Sequence, residues 1–301
     1  MAELTRQITE LGQIQSLKEE INASGFYLKI SGGLGNQLFG LSETVRISRI
    51  HPGIPFIEFS KSEHFNENDH ETLLEFMRCN VHFILVLNLT NFSIFTDAEL
   101  TNLATANKNR IQNSIAFQGW APNFELIERS GLFIRGEFPF QTKSEALPPK
   151  SVAIHVRLGD YETNEHLGVI AKRYYTSVTK KLWDDNHLLD FFLFSDNPQA
   201  ALTRLGTAKY SALIVESELS PLETLELMST ASDLVAANST FSFWAYYFSN
   251  ARTFVPFPFY ISDWQWDNEL WGNRVIRVNQ HLFPFWLKLK FWCSRHCEKL
   301  H

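Results

Sequence analysis

The sequence contains little cysteine and no long apolar run. Its three cysteines, Cys79, Cys293 and Cys297, have no paired pattern, which predicts free thiols in a reducing compartment. His296 lies between the last two, but structural zinc usually has four spaced ligands and no second pair is evident, so we expect no metal site. Neither about 20 consecutive apolar residues nor a signal peptide occurs, which predicts a cytoplasmic protein without a membrane span.

Positive charge is also scarce. The formal net charge of −6 argues against a protein that binds nucleic acid by neutralising phosphates. Hydrophobic residues, in contrast, make up 45% of the chain, so 301 residues suffice for one large or two medium domains with substantial cores.

Two regions of the sequence predict an α/β protein. In residues 1–145, a glycine-rich turn at 32–35 lies between a predicted strand and a predicted helix. The polar residues 141–150 predict a linker. In residues 150–280, strands alternate with helices, which predicts a parallel, doubly wound sheet. Its predicted strands are 151–157, 191–194, 212–215 and 233–237.

Polar side chains follow the strand at 151–157. His155 and Arg157 are two residues apart, so on a strand their side chains point to the same face. Asp160 and Tyr161 follow on the loop. Parallel sheets bind ligands at the carboxyl ends of their strands, and a guanidinium matches a pair of phosphate oxygens. The pattern predicts an anion site; the alternative is an Arg–Asp pair that only braces the loop.

Two further strand ends carry polar groups, at Asp196 and at 238–242. In a parallel sheet these ends converge with Arg157 on one edge. A helix that begins near Ser239 can donate amides to a phosphate, and an aspartate can accept two donors from a guanine edge. Asp196, Ser239 and Thr240 could each serve instead as a helix cap. Three such sites on one edge favour nucleotide binding.

Several short motifs follow one another along the chain: Gly32-Gly-Leu-Gly-Asn-Gln-Leu-Phe39, Phe117-Gln-Gly-Trp120, His155-Val-Arg-Leu-Gly-Asp-Tyr161, Phe194-Ser-Asp196 and Asn238-Ser-Thr-Phe-Ser-Phe-Trp244. In this order they resemble the α-1,2-fucosyltransferases of glycosyltransferase family eleven, of bacterial type. The resemblance implies a GT-B fold, in which two Rossmann-like domains face a cleft. It also implies an inverting transfer of fucose from the donor GDP-fucose to a glycan hydroxyl, with galactose O2 expected, and no metal or other cofactor.

The resemblance assigns roles to individual residues. It implies that Arg157 holds the diphosphate, that Asp196 reads guanine, and that Asn36 and Gln37 face the cleft. The implied phosphate-binding turn is Ser239, Thr240, Phe241 and Ser242. The chain departs from the family at three positions, where the family often has arginine, glutamine and tryptophan: Leu158, Gly40 and Phe243.

The mechanism implied by the resemblance requires a group that removes the acceptor proton. The candidates are Asp160, His155, Glu162 and Glu165. Acceptor contacts are expected on variable loops at 60–80 and 160–170, and the sequence does not identify the acceptor glycan.

Two other functions stay open. Gly33 and Gly35 match the first two glycines of a dinucleotide fingerprint, and Glu58 lies at a plausible distance for a ribose contact, as in a nucleotide-binding oxidoreductase. The third glycine position holds Leu38, which weakens that match. A non-catalytic glycan-binding module is the other alternative, and an intact Arg157 and Asp196 argue against it.

Residues 281–301 predict a helix with an aromatic face and a basic face. From 285 onwards four lysines and arginines oppose only Glu298. Such a helix can lie in an anionic membrane interface, which predicts peripheral contact with the inner face of the membrane. The alternative is a terminal helix that packs on the protein, because tryptophan also serves cores.

Overall fold

The computed structural model describes residues 26–49, 55–59, 66–85, 94–95, 115–118, 124–142, 145–163, 168–205, 212–215, 219–257, 271 and 274–279. The predicted helix at 281–301 and the candidate base Glu165 lie outside the described residues. Within them, no helix is both long enough and apolar enough to cross a membrane.

The chain divides into two compact units. The first consists of Met1–Ser144 and Leu219–Glu226, and the second of Glu145–Glu218 and Leu227–His301. The sequence analysis placed 219–226 with residues 150–280, whereas these residues group with the first unit.

The first unit contains a parallel sheet. Its strands are β1 (Phe26–Ile30), β2 (Pro55–Phe59), β3 (Ile84–Leu85), β4 (Ile94–Phe95) and β5 (Ile115–Gln118). They lie in the order β3-β2-β1-β5-β4. Its helices are α1 (Leu34–Ser48), α2 (Glu67–Asn80) and α3 (Phe124–Ser130). The glycine-rich turn therefore connects β1 to α1, as the sequence predicts.

Helix α2 corrects the loop expected at 60–80. The side chain of Asn66 accepts a hydrogen bond from the backbone N–H of Asp69 at 3.0 Å and so caps the helix. Leu73 and Met77, four residues apart, are fully buried on one face. The helical spacing was present in the sequence, but polar residues surround it.

The second unit contains another parallel sheet. Its strands are β6 (Ser151–Val156), β7 (Asp190–Ser195), β8 (Ala212–Ile214), β9 (Asp233–Val235), β10 (Arg252–Phe257) and β11 (Ile276–Asn279). The remaining α-helices of the described residues are α4 (Lys172–Asp185), α5 (Pro198–Leu205), α6 (Pro221–Ser229) and α7 (Thr240–Tyr247).

The strands of this second sheet lie in the order β11-β10-β9-β6-β7-β8, and all neighbours are parallel. The predicted parallel sheet is confirmed, and β10 and β11 extend it. Counted from β6, the order is the Rossmann order, and its direction reverses between β6 and β9. Ligands of such sheets bind outside the carboxyl ends of the strands at this reversal.

Strand β6 lies in the buried centre of the second sheet. Every residue of β6 is buried, since strands pair with it on both sides. The buried hydroxyl of Tyr174 lies 2.8 Å from the carbonyl oxygens of both Ala236 and Phe254, which share its one hydrogen as acceptors. The hydroxyl thereby links helix α4 to the segment after β9 and to β10. The edge where β6 and β9 end is consequently held by hydrogen bonds from both strand pairing and Tyr174.

Candidate functional site

Arg157 follows β6 and lies between two carboxylates. Its Nη2 is 2.5 Å from Oδ1 of Asp160, and its Nη1 is 3.0 Å from Oδ2 of Asp196. The guanidinium also lies over the ring of Tyr161, 5.5 Å from the ring centroid. Only 18% of the Arg157 side chain is exposed, against 54% for Asp160. The site therefore presents an oriented cation whose partly exposed neighbour is a carboxylate.

Asp196 follows β7, but its side chain bonds the backbone that follows β6. Its Oδ1 accepts a hydrogen bond from the backbone N–H of Leu158 at 2.9 Å, and the hydroxyl of Ser195 lies 3.3 Å away. The helix cap is the next residue, Asn197, whose Oδ1 accepts from the N–H of Ala200 at 3.2 Å. The alternative that Asp196 caps the helix is therefore wrong.

Gly159 has no room for a side chain. Its φ is +35°, and an added Cβ would lie 2.5 Å from Oδ2 of Asp196. The contact explains why the turn after Leu158 requires glycine. Because glycine has no side chain, the carboxylate of Asp196 can lie this close to the turn.

His155 is buried behind Arg157. Its Nδ1 lies 2.6 Å from the hydroxyl oxygen of Ser242, and the same oxygen accepts a hydrogen bond from the N–H of Ala237 at 2.9 Å. Burial lowers the pKa of His155 from 6.5 to about 4, and the charge of Arg157 adds to this effect while Asp196 opposes it. The imidazole is therefore neutral at physiological pH.

The predicted phosphate-binding turn forms the start of α7. Ser239 is its N-cap and accepts a hydrogen bond from the N–H of Phe241 at 3.2 Å. Thr240 begins the helix, and the ring of Phe241 lies 5.6 Å from that of His155. Ser242, in contrast, is completely buried. The first turn of α7 therefore lies beside His155, with Ser242 directed inwards.

Asn36 and Gln37 lie in the first unit, at the start of α1. The side-chain amide of Gln37 donates to the carbonyl oxygen of Gly32 at 2.9 Å. An added Cβ at Gly32, whose φ is +85°, would lie 2.7 Å from Nδ2 of Asn36. The Gln37 side chain thus supports the glycine-rich turn, and the Asn36 side chain lies against Gly32.

Two further charged residues lie near the exit of β6. Glu162 ends the 3₁₀ turn Gly159–Glu162 and lies 3.9 Å from Nη2 of Arg204 on α5. The sequence analysis did not select Arg204, because no motif surrounds it. Among the described residues, no group of three or more His, Cys, Asp and Glu side chains is placed to hold a metal ion.

Comparisons with known proteins agree with this geometry. Residues 136–270 match the sequence model of Glycosyl transferase family 11. The resemblance to family 11 is confirmed. An alpha-1,2-colitosyltransferase from Escherichia coli is 29% identical over 124 residues, a match that covers 36% of this chain and 41% of that protein. The match spans about two fifths of the length of this curated relative.

A solved structure supports the fold. The crystal structure of fucosyltransferase NodZ from Bradyrhizobium matches with a TM-score of 0.50 at 14% identity, over 74% of this chain and 92% of that one. At this identity the likeness concerns the fold alone. Together with two parallel α/β units, it confirms the predicted GT-B class.

Proposed function

We propose that the protein is an inverting glycosyltransferase that transfers fucose from GDP-fucose to a glycan hydroxyl, with galactose O2 as the expected position. The observation that carries the proposal is the placement of Arg157 at the end of β6, beside the reversal of strand order and close to α7. A diphosphate at this edge would meet a cation already oriented by two carboxylates.

The donor half of the reaction depends on leaving-group charge. As the bond from the sugar C1 to the diphosphate oxygen breaks, negative charge grows on that oxygen. Arg157 and the amides at the start of α7 stabilise this charge, and their geometry is set before the reaction begins. Asp196 is the proposed contact for guanine, although its oxygens already accept from Leu158 and Arg157.

The acceptor half requires removal of a proton as the hydroxyl attacks the opposite face of C1. We assign this role to Asp160. Its Oδ1 bonds Arg157, while its Oδ2 makes no hydrogen bond within the part of the chain that the structure describes. A carboxylate that is half exposed and adjacent to the phosphate-binding cation can accept a proton from a bound hydroxyl.

Metal ions are not part of the proposed mechanism. The charge of the diphosphate is offset by Arg157 and the backbone amides at the start of α7. In the first unit, Asn36 and Gln37 are proposed to lie near the bound donor.

Colitose is a second candidate for the transferred sugar, because the curated relative is named an alpha-1,2-colitosyltransferase. The two hypotheses share the linkage and differ in the sugar. A screen of GDP-fucose and nucleotide-activated colitose against a panel of galactosides, with product linkage determined by NMR, separates them. Transfer of neither sugar, with binding of GDP retained, would favour a non-catalytic glycan-binding module.

The oxidoreductase alternative is weakened because Glu58, its expected ribose contact, is paired with a lysine. Glu58 lies 3.0 Å from Nζ of Lys29 on the neighbouring strand, and its side chain is largely buried. Titration with NAD and with GDP, followed by fluorescence, tests this directly. Binding of NAD in preference to GDP would overturn the proposed function.

We also propose a cytoplasmic location, with peripheral membrane contact through residues 281–301, from their sequence alone. Truncation after His281 tests the contact by liposome sedimentation. Loss of binding to anionic liposomes with an intact fold supports it. No binding by the full-length chain would refute it.

A further inference from the structure

The hydroxyl of Ser242 has a complete set of contacts. Its oxygen accepts a hydrogen bond from the N–H of Ala237 at 2.9 Å and lies 2.6 Å from Nδ1 of His155. The side chain is fully buried, and it makes no other hydrogen bond within the described residues. Water therefore cannot reach this hydroxyl. Its own hydrogen, and any hydrogen on Nδ1 of His155, must find an acceptor among these groups.

The donors and acceptors around Ser242 determine where its hydroxyl hydrogen points. A serine hydroxyl has one hydrogen to donate and two lone pairs to accept with. If Nδ1 of His155 carried a proton, the oxygen would accept from both Ala237 and His155, and its own hydrogen would be buried without an acceptor. Such an unsatisfied donor costs about 1–3 kcal/mol. If Nδ1 is unprotonated, the hydroxyl donates to it and accepts from Ala237, so neither the hydroxyl nor Nδ1 is left unsatisfied.

We infer that Ser242 is a positioning residue, which holds His155 as the neutral tautomer with its proton on Nε2. His155 is then a hydrogen-bond donor at the site and not a base. A ring that already carries its proton on Nε2 cannot remove one from an acceptor hydroxyl with that nitrogen, and Nδ1 is occupied by Ser242.

The electrostatic surroundings and the packing of His155 also favour one neutral, fixed imidazole. The charged groups that bear on the ring are Arg157, on the same side of β6, and Asp196, from β7. Burial and the neighbouring guanidinium disfavour imidazolium, so the doubly protonated form does not compete near neutral pH. The packing of Phe241 on the ring further fixes its orientation.

The role of Ser242 adds detail to the proposed function. It rests on that function for the identity of the ligand. A neutral Nε2–H matches an acceptor oxygen of the nucleotide, either a carbonyl oxygen of the base or an oxygen of the diphosphate. In this scheme Ser242 touches no phosphate, whereas the resemblance to the family placed it in the phosphate-binding turn.

The tautomer can be measured in the free protein. Histidine labelled with ¹⁵N, in wild type and in His155→Gln for assignment, reports through couplings to the ring protons which nitrogen carries hydrogen. We expect a single tautomer protonated on Nε2 in wild type and a mixture in Ser242→Ala. Thr179→Val, which also removes a buried hydroxyl of the second unit, is the matched control and should leave His155 unchanged.

Calorimetric titration with GDP tests the role. Ser242→Ala should weaken GDP binding roughly three- to tenfold, the loss expected for one hydrogen bond. His155→Gln, which keeps a donor near the position of Nε2, should bind GDP better than His155→Ala. A proton on Nδ1 in wild type, or an unchanged tautomer in Ser242→Ala, would overturn the inference. Failure of wild type to bind GDP would instead overturn the proposed function.

If Ser242→Ala does not fold, Ser242→Thr replaces it. This variant keeps the hydroxyl and should keep the tautomer on Nε2. A shift of the proton to Nδ1 in Ser242→Thr would contradict the assignment.

Discussion

Nη1 of Arg157 lies 3.0 Å from Oδ2 of Asp196, and the two residues come from the ends of adjacent strands. They meet because Val156 and Ser195 are paired in register, so that the next residue of each strand reaches the same edge. The pair orients a guanidinium that remains partly accessible. It therefore sets the position of the proposed phosphate contact before any ligand arrives.

Arg157→Ala should reduce kcat/KM by at least roughly a hundredfold, or about 3 kcal/mol, because a preorganised charge donor is lost. Arg157→Lys should also be strongly impaired, since an ammonium cannot bond two oxygens in the bidentate manner. Steady-state kinetics with GDP-fucose measures both. An unchanged circular dichroism spectrum is the control for folding, and activity within a few-fold of wild type would refute the assignment.

Gly159→Ala should lower both stability and donor binding. The added Cβ would meet the carboxylate of Asp196 in a backbone conformation that disfavours side chains, and we expect a cost of about 1–3 kcal/mol. Gly131→Ala is the matched control, because Gly131 also has a positive φ and its Cβ would meet only the flexible end of Arg49. Urea unfolding and GDP titration should show a loss of GDP affinity only in the variant at Gly159.

Asp160→Asn should reduce kcat far more than it reduces affinity for GDP. The amide cannot accept the acceptor proton, yet it occupies the same volume beside Arg157. Glu162→Gln, on the same turn, is the comparison. Equal losses in the two variants, or an unaltered kcat in Asp160→Asn, would remove Asp160 from the mechanism.

The buried His155 should make stability depend on pH. Because its pKa is lowered from 6.5 to about 4 in the folded state, the stability that it contributes is complete above pH 6.5 and is lost as the pH falls towards 4. The free energy of unfolding of wild type should fall by about 3 kcal/mol more than that of His155→Gln across this window. Parallel curves for the two proteins would contradict the burial of a neutral imidazole.

Chelation with EDTA should leave transfer largely unchanged, because Arg157 and the start of α7 provide the proposed neutralisation of the diphosphate. The measurement is initial velocity with and without EDTA, followed by addition of magnesium or manganese. Loss of turnover that either metal restores would show that a metal takes part.

Strand ends were the part of the site that the sequence predicted best. The apolar run of β6 and the parallel pattern indicated that Arg157, Asp196 and Ser239 share an edge, and Ser239 was recognised as a cap. The capping box of α6, where Ser220 and Glu223 exchange hydrogen bonds, likewise has the Ser-x-x-Glu spacing typical of a helix start. These signals depend only on residues that are near one another in the sequence, so they can be recognised without knowledge of the packing.

Contacts that depend on register or rotamer were not predictable. The bond from Leu158 to Asp196 requires the pairing of β6 with β7, and the inward direction of Ser242 requires the orientation of α7. Strand β10 was missed since it contains Pro256, which normally argues against a strand. Pro256 lies beyond the residues of β10 that pair with β9, so its missing N–H disrupts no bond on that side.

The grouping of residues 219–226 with the first unit has a consequence for dividing the chain into fragments. The chain enters the second unit, returns to the first and leaves it again. A fragment that ends at 144 would lack the backbone N–H of Leu222 that Asp69 binds. Burial raises the pKa of Asp69, so this carboxylate would lose a favourable partner while still partly enclosed. Neither unit can therefore be exchanged with a relative as one uninterrupted piece, and chimeras must carry 219–226 together with residues 1–144.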